Sequence, residues 1–312
     1  MMMYFQLDKE HGLKPSTTEN YNWLVIDEES KDELPNIITQ FHLPKDIFVA
    51  ADSLDEISRM EYLEDTTLTH AISLVFFNLS SVNSSIEERI SPISFILSEE
   101  LLIIYVGKNR HFMEQLFEKQ VPFHSFEQII LYALLNMNRH FIAGLKEIKQ
   151  IIDKLDRAAR KTTGSKELFQ LADVEREIIF IAHVLADQNQ TLDYLCKDHE
   201  FLERVNDQRL VFDVKLRQKQ ALKTVQIYQD LLKTIGDLFA SMISNNLNQL
   251  MKYLESAALV LTIPTVIGGI WGMNTGGLPG KESPLGFFIV MVGMFILTVL
   301  TGVYLAKKNY FK

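Results

Sequence analysis

The chain has 312 residues and a formal net charge of −9 at pH 7. That length suffices for a sizeable soluble domain plus a small membrane part, and the acidic balance excludes a general nucleic-acid binder, which needs a basic face. A single cysteine, Cys196, excludes an intramolecular disulfide framework and fits a reducing compartment.

Met1 to Lys14 shows no basic stretch leading into an apolar run, so no signal peptide is visible and the bulk of the chain is expected in the cytoplasm. Residues 1–125 read as a mixed α/β domain with a mostly antiparallel sheet. Tyr21 to Ile26 and Ala71 to Phe77 are rich in β-branched and aromatic residues, as strands are. Ile93 to Leu97 and Leu101 to Val106, separated by Ser98-Glu99-Glu100, predict a hairpin. Pro35 to Phe41, Lys45 to Leu54 and Lys108 to Lys119 predict short helices.

From Ser125 the pattern turns helical. Ser125-Phe126-Glu127-Gln128 approximates a capping box. Apolar positions from Ile129 to Leu155 then follow at three- and four-residue spacing. Thr162 to Ser165 is a break, and a second helix is expected over Lys166 to Leu195, so residues 126–205 read as a pair of antiparallel helical arms. A third helix starts near Asn206, with residues 206–255 as a stalk. Val214, Ala221, Tyr228, Ile235 and Met242 stand seven apart, as do Val225, Leu232 and Phe239, a period that favours a supercoiled seam. Continued into the next apolar run, about 68 residues would give a helix of roughly 100 Å.

Two apolar stretches follow, each about 18 to 21 residues, the length that crosses a hydrocarbon core of ~30 Å. Residues 256–274 form the first expected span, 275–285 an outer loop, 286–306 the second span, and 307–312 a basic tail with Lys307, Lys308 and Lys312. Lys281 and Glu282 cancel in the loop, so the positive-inside rule puts the tail and both termini in the cytoplasm and the loop outside.

The helix entering the membrane carries a polar stripe: Asp237, Ser241, Ser244, Asn248, Met251, Thr262, Thr265 and Asn274 fall near one face. Polar side chains in a span face protein or water. Two readings stand open: a helix–helix interface held by hydrogen bonds, or a pore wall, which requires a ring of identical chains. Glu255, near the cytoplasmic start of the span, either faces such a pore or snorkels to the interface.

The run Thr262-Ile263-Pro264-Thr265-Val266-Ile267-Gly268-Gly269-Ile270-Trp271-Gly272-Met273-Asn274 resembles the signature of CorA-type divalent-cation transporters, which carry Gly-Met-Asn at the outer end of the first of two C-terminal spans. Ser244-Asn245, Asn248-Gln249-Leu250-Met251-Lys252 and the basic tail are also similar to that family. The detailed resemblance covers about Asp213 to Lys312, and the coarse order covers the whole chain. It implies an α+β cytoplasmic domain with long helical arms and a stalk, followed by two transmembrane α-helices. These would assemble as a homopentameric funnel in the lipid bilayer of the cell membrane. It implies a selectivity motif at Gly272, Met273 and Asn274, where a ring of Asn274 carboxamides accepts hydrogen bonds from a hydrated cation, which Mg²⁺ favours by giving up its waters reluctantly. It further implies pore-lining Asn248, Met251, Leu254, Thr262 and Thr265, with Met251 and Leu254 as apolar constrictions. Asp237 would form an acidic ring at the cytoplasmic mouth, and Asp213 and Asp52 a regulatory metal site. Ordinary solvated carboxylates are the alternative reading of that last pair.

The loop departs from the pattern. Where many Mg²⁺-transporting members carry a Met-Pro-Glu-Leu-like segment, this chain has Thr275-Gly276-Gly277-Leu278-Pro279-Gly280-Lys281-Glu282, which resembles the zinc-transporting branch, with Glu282 as the candidate outer acidic collector. Gly276 to Lys281 is no phosphate-binding loop, since the glycine spacing is wrong and Glu282 stands where Ser or Thr is required. Cys196-Lys197-Asp198-His199 has no second ligand pair and reads as an exposed helical coincidence. The expected function is influx of Mg²⁺, with Co²⁺ or Ni²⁺ as further cargo, down the electrochemical gradient. Oxygen and thioether groups in the stripe favour that ion, whereas imidazole or thiolate would favour Zn²⁺. A Zn²⁺ transporter, proton-coupled or not, is the alternative within the superfamily, and a membrane-anchored sensor or scaffold the alternative outside it. No cofactor, nucleotide, nucleic acid or catalytic constellation is expected.

Overall fold

The computed structural model describes residues 2–8, 12–17, 20–48, 56–80, 86–109, 112, 123–160, 164–278, 280 and 283–307. They divide into two units, Met1–Arg157 with Lys166–Thr234, and Ala158–Ser165 with Ile235–Lys312.

In the first unit, strands β1 (Met3–Asp8), β2 (Gly12–Pro15), β3 (Trp23–Asp27), β4 (Arg59–Tyr62), β5 (Ile72–Leu79), β6 (Ile90–Leu97) and β7 (Leu102–Gly107) form one sheet in the order β2-β1-β3-β7-β6-β5-β4. All neighbours are antiparallel except β3 and β7, which pair in parallel with Trp23 opposite Leu102. The expected hairpin is β6–β7, with Leu97 opposite Leu102. Every residue of β3, β5 and β7 is buried, as continuous apolar runs covered on both faces should be.

The two faces feed two cores, because side chains alternate along a strand. Trp23, Val25, Leu74, Phe76, Phe95 and Ile104 pack with Ile129, Ile130, Leu134 and Met137 of helix α3 (Phe126–Ala159). Leu24, Ile26, Ile96, Ile103 and Tyr105 pack with Leu34 and Ile37 of helix α1 (Leu34–Phe41) and with Leu43, Ile47 and Phe48. The segment at 45–48 forms turns and bends rather than the start of the expected helix. The rest of that helix, and Lys108 to Lys119 apart from residues 108, 109 and 112, lie outside the described residues. A one-turn helix α2 (Ile86–Arg89) leads into β6.

Ser125 caps α3 by accepting the Gln128 amide at 3.2 Å, and Gln128 Oε1 reaches back to the His124 amide at 2.9 Å. This is the capping-box exchange shifted by one residue. Helix α4 (Ser165–Leu195) buries Leu171, Val174, Ile178, Ile181, Leu185, Gln188, Leu192 and Leu195, alternating three- and four-residue steps. A short helix α5 (His199–Val205), capped by Asp198, precedes α6 (Gln208–Trp271), an unbroken helix of 64 residues. Val214, Gln218, Ala221, Val225, Tyr228 and Leu232 repeat the same buried spacing on α6. Each fully buried Leu or Ile contributes about 1.5–3 kcal/mol, so the seam rather than helix propensity holds these helices.

Cys196 corrects the sequence reading. It is buried, in the same core as Phe201 and Val205, and burial raises its thiol pKa. His199, by contrast, is exposed, so the two residues do not act as a pair.

The second unit holds the rest of α6 from Ile235 and helix α7 (Pro284–Lys307). Among the described residues, α6 and α7 are the helices long and apolar enough to cross a membrane. Large apolar side chains such as Leu261, Phe288 and Phe295 stand exposed on them, as lipid-facing residues would.

Candidate functional site

Within the second unit, α6 carries two different faces. Asp237, Ser241, Ser244, Asn248 and Met251, continuing through Glu255, Ala258, Thr262, Thr265, Gly269 and Gly272, recur at alternating steps of four and three residues, and every one is exposed in the single chain. Ser256 is buried, and Ala257, Val260, Ile263, Ile267 and Trp271 are half-buried; they lie on the other side. At about 100° per residue the two sets are roughly opposed. A 3.5-residue repeat of this kind is a seam suited to identical helices around an axis.

The stripe contains most of the residues expected from the sequence. Leu254 is exposed but stands one residue out of phase with it. Four positions in phase were not part of the stripe read from sequence: Glu255, Ala258, Gly269 and Gly272. Counting alternate fours and threes from Asp237 would have found them.

The two threonines show how the face is tuned. Thr262 Oγ1 donates to the Ala258 carbonyl and Thr265 Oγ1 to the Leu261 carbonyl, each at 2.8 Å. The hydroxyl proton is held by the helix, so the exposed oxygen offers lone pairs only. Such a surface accepts hydrogen bonds from the water shell of a cation and has no donor to repel it. Pro264, between them, cannot donate to the helix ladder.

The expected span runs to Asn274, but the helix ends at Trp271. Gly272 makes the last full helical bond, to the Gly268 carbonyl at 2.9 Å, and Met273 turns tighter, to Ile270 at 3.2 Å. A methyl group on Gly272 would lie 3.0 Å from the Gly268 oxygen, so the close turn favours glycine. Asn274 therefore sits just beyond the helix, exposed, with no partner for its amide among the described residues. The carbonyl end of a helix is partially negative and leaves its last carbonyls free. Asn274 thus stands beside a partially negative helix end.

Asp237 is exposed and unpaired among the described residues. Asp213 lies in the first unit, half-buried, while Asp52 and Glu282 fall outside the described residues. Among the described residues no group of three or more His, Cys, Asp or Glu side chains is arranged to hold a metal ion.

A family model described as "CorA-like Mg2+ transporter protein" matches residues 18–308. The cobalt/magnesium transport protein CorA of Methanocaldococcus jannaschii is 23% identical over 316 residues, covering 96% of this chain and 95% of that one. The cobalt/magnesium transport protein CorA of Thermotoga maritima is 26% identical over 186 residues, 58% of this chain, and the match spans only about half of that protein, 52%. The zinc transport protein ZntB of Pectobacterium atrosepticum is 22% identical over 168 residues, covering 54% of this chain and 50% of that one. The complete structure of the CorA magnesium transporter from Methanocaldococcus jannaschii superposes with a TM-score of 0.79 at 16% identity, covering 99% of this chain and 98% of that one. The family model takes in strands β3 to β7, the long helices, both apolar helices and the Gly272-Met273-Asn274 turn, and the chain belongs to the CorA-like Mg²⁺ transporter family.

Proposed function

We propose that this protein carries Mg²⁺ across the cell membrane, with Co²⁺ or Ni²⁺ as further cargo, through a pore enclosed by the exposed stripe of α6 in a homopentamer. Residues 1–125 and 126–205 are the cytoplasmic domain and arms, 206–255 the stalk, and 256–274 and 286–306 the spans, with both termini in the cytoplasm. Asn274 forms the outer ring and selects the hydrated ion. Asn248, Met251, Leu254, Thr262 and Thr265 line the path, and Asp237 forms the inner acidic ring. Asp213 with Asp52 forms a regulatory metal site, and Glu282 collects cations outside. The observation that carries the reading is the opposition of faces on α6: a polar stripe, fully exposed in one chain and with its two threonine protons turned into the helix, lies across the helix from the covered side.

No nucleotide is needed to drive the reaction. A divalent cation moving inward gains about 4.6 kcal/mol per 100 mV of inside-negative potential, twice the single-charge value. The test is ion flux into proteoliposomes for the native chain and Asn274→Ala, with and without a pH gradient. Potential-driven Mg²⁺ flux that falls at least about tenfold in the variant, about 1.4 kcal/mol, supports the reading. Absence of divalent flux from a folded oligomer overturns it in favour of a membrane-anchored scaffold.

A second reading is Zn²⁺ transport, favoured by the loop after Asn274 and by the similarity to proteins named zinc transport protein ZntB. Zn²⁺ flux that follows the pH gradient would select it.

A further inference from the structure

The stripe on α6 is polar or small at nearly every position, and two of its residues carry a full charge: Asp237 in the stalk and Glu255 at the start of the first apolar span. Glu255 stands four residues after Met251 and three before Ala258, in phase with both. Its neighbour Ser256 is 1% exposed and marks the covered side, whereas Glu255 is exposed. Glu255 has no hydrogen-bond or ion-pair partner among the described residues, Lys252 one turn earlier included.

An unpaired carboxylate facing hydrocarbon is costly, and acids inside spans face a protein interior or a water-filled path. The phase of the helix offers such a path. By helix rise, Glu255 lies about 24 Å from the helix end at Trp271, just before Asn274, and about 27 Å from Asp237, so it divides the stripe into two similar halves. Met251 and Ala258, its neighbours along the stripe, offer no further oxygen. A ring at this level attracts a cation strongly, and the poorer levels on either side let it leave, as conduction requires.

We propose that Glu255 is the charged station of the permeation path: copies of its carboxylate from the assembled chains bind the hydrated divalent cation midway and set the preference for divalent over monovalent ions. This rests on the transport reading above and adds to it a binding residue that differs in chemistry from the uncharged Asn274 ring.

The test uses the full-length protein in a Cys196→Ser background, reconstituted in liposomes. Glu255→Cys and, as a covered-face control, Ala257→Cys are treated with a positively charged methanethiosulfonate reagent, with K⁺ alone or with added Mg²⁺. Modification at position 255 but not 257 is expected; with Glu255 intact, modification of Ala258→Cys, the next stripe position, should be slowed at least about tenfold by Mg²⁺, equivalent to about 1.4 kcal/mol, and this protection should disappear when Glu255→Gln is added. In parallel, Glu255→Gln should lose most Mg²⁺ flux and admit monovalent ions, while Glu255→Asp retains discrimination. No modification at position 255, or modification of Ala258→Cys at a rate indifferent to Mg²⁺ while Glu255 is intact, overturns the proposal. If the native chain conducts Mg²⁺ and Glu255→Gln conducts it equally well, the station fails while the transport reading stands. If the native chain passes no divalent ion, the transport reading fails, and with it the role of Glu255 in permeation.

Discussion

Gly286, at the start of α7, is pressed against Gly280 of the preceding loop: a methyl group on Gly286 would overlap the Gly280 carbonyl oxygen and lie 2.7 Å from its carbonyl carbon. Gly280 itself has a φ of +74°, and a methyl there would lie 3.1 Å from the Gly286 α-carbon. The indole of Trp271 closes the other side, 3.7 Å from the same point. The loop after Asn274 is thus anchored by two glycines and the last residue of α6. Gly286→Ala should cost about 1–3 kcal/mol, the usual range for overpacking. It should lower the thermal unfolding midpoint in detergent and speed proteolysis within 275–283. An unchanged midpoint together with unchanged proteolysis would refute the anchor.

The threonine hydroxyls give a prediction separate from the signature. Thr265→Val keeps the shape but removes the outward lone pairs, and Thr265→Ser restores them. Mg²⁺ flux in proteoliposomes should fall in the first variant and recover in the second. Equal flux in both would mean that the oxygen does not touch the path.

Two buried glutamines should respond differently to the same change. Phe77 lies two residues beyond Val75, the last β5 residue paired with β4, and its amide donates to Gln188 Oε1 at 2.7 Å. Gln188→Leu strands a buried donor, at a cost of about 1–3 kcal/mol. Gln218 donates to the Leu185 carbonyl at 2.8 Å, an acceptor inside α4 that has a helical partner as well. Gln218→Leu removes the donor and leaves that carbonyl satisfied, so it should be near neutral. Urea unfolding of the two variants, with hydrogen exchange at Phe77, distinguishes them.

His140 supplies a pH dependence. Burial holds its pKa below the ordinary value, and Nδ1 lies 2.8 Å from Asn78 Oδ1. Asn78 donates through Nδ2 to Asn109 Oδ1, so its oxygen is the acceptor and His140 Nδ1 carries the proton in the neutral ring. The unfolded chain binds a proton at this histidine near pH ~6.5, before the folded chain does. This contribution to stability is therefore full above that pH and is lost as pH falls through the lower folded value. His140→Gln should flatten that part of the stability–pH curve. An identical curve for the variant would show that another group titrates there.

The legible parts of the sequence were those where one physical signal dominates. Ile72 to Leu79 is apolar and β-branched, and the seven-residue spacing from Val214 to Phe239 marks the buried seam. Edge strands carry no such signal. Arg59-Met60-Glu61-Tyr62 is half polar because β4 is open on one side, and β1 and β2 also lie at or near a sheet edge. Cys196 read as exposed because burial at a helix end depends on what packs beneath it, here Phe201 and Val205. In the candidate site, residue types were legible but phase was not fully so. The polar members stood out, whereas Ala258 and Gly269 are silent by composition, and Glu255 needed the exposure pattern to join them.

The parallel pairing of β3 with β7 has a consequence for the order of synthesis. Trp23 to Asp27 leave the ribosome early but must wait for Leu102 to Gly107 before their second ladder can form. The sheet face below them is then closed by residues reaching to Val214. All of these are translated before the apolar part of α6, so the first unit has this core complete while the apolar helices are still unmade. Domains generally fold as units during synthesis, N-terminal first. The apolar helices are then the last part of a chain whose larger unit draws its core from residues made before them.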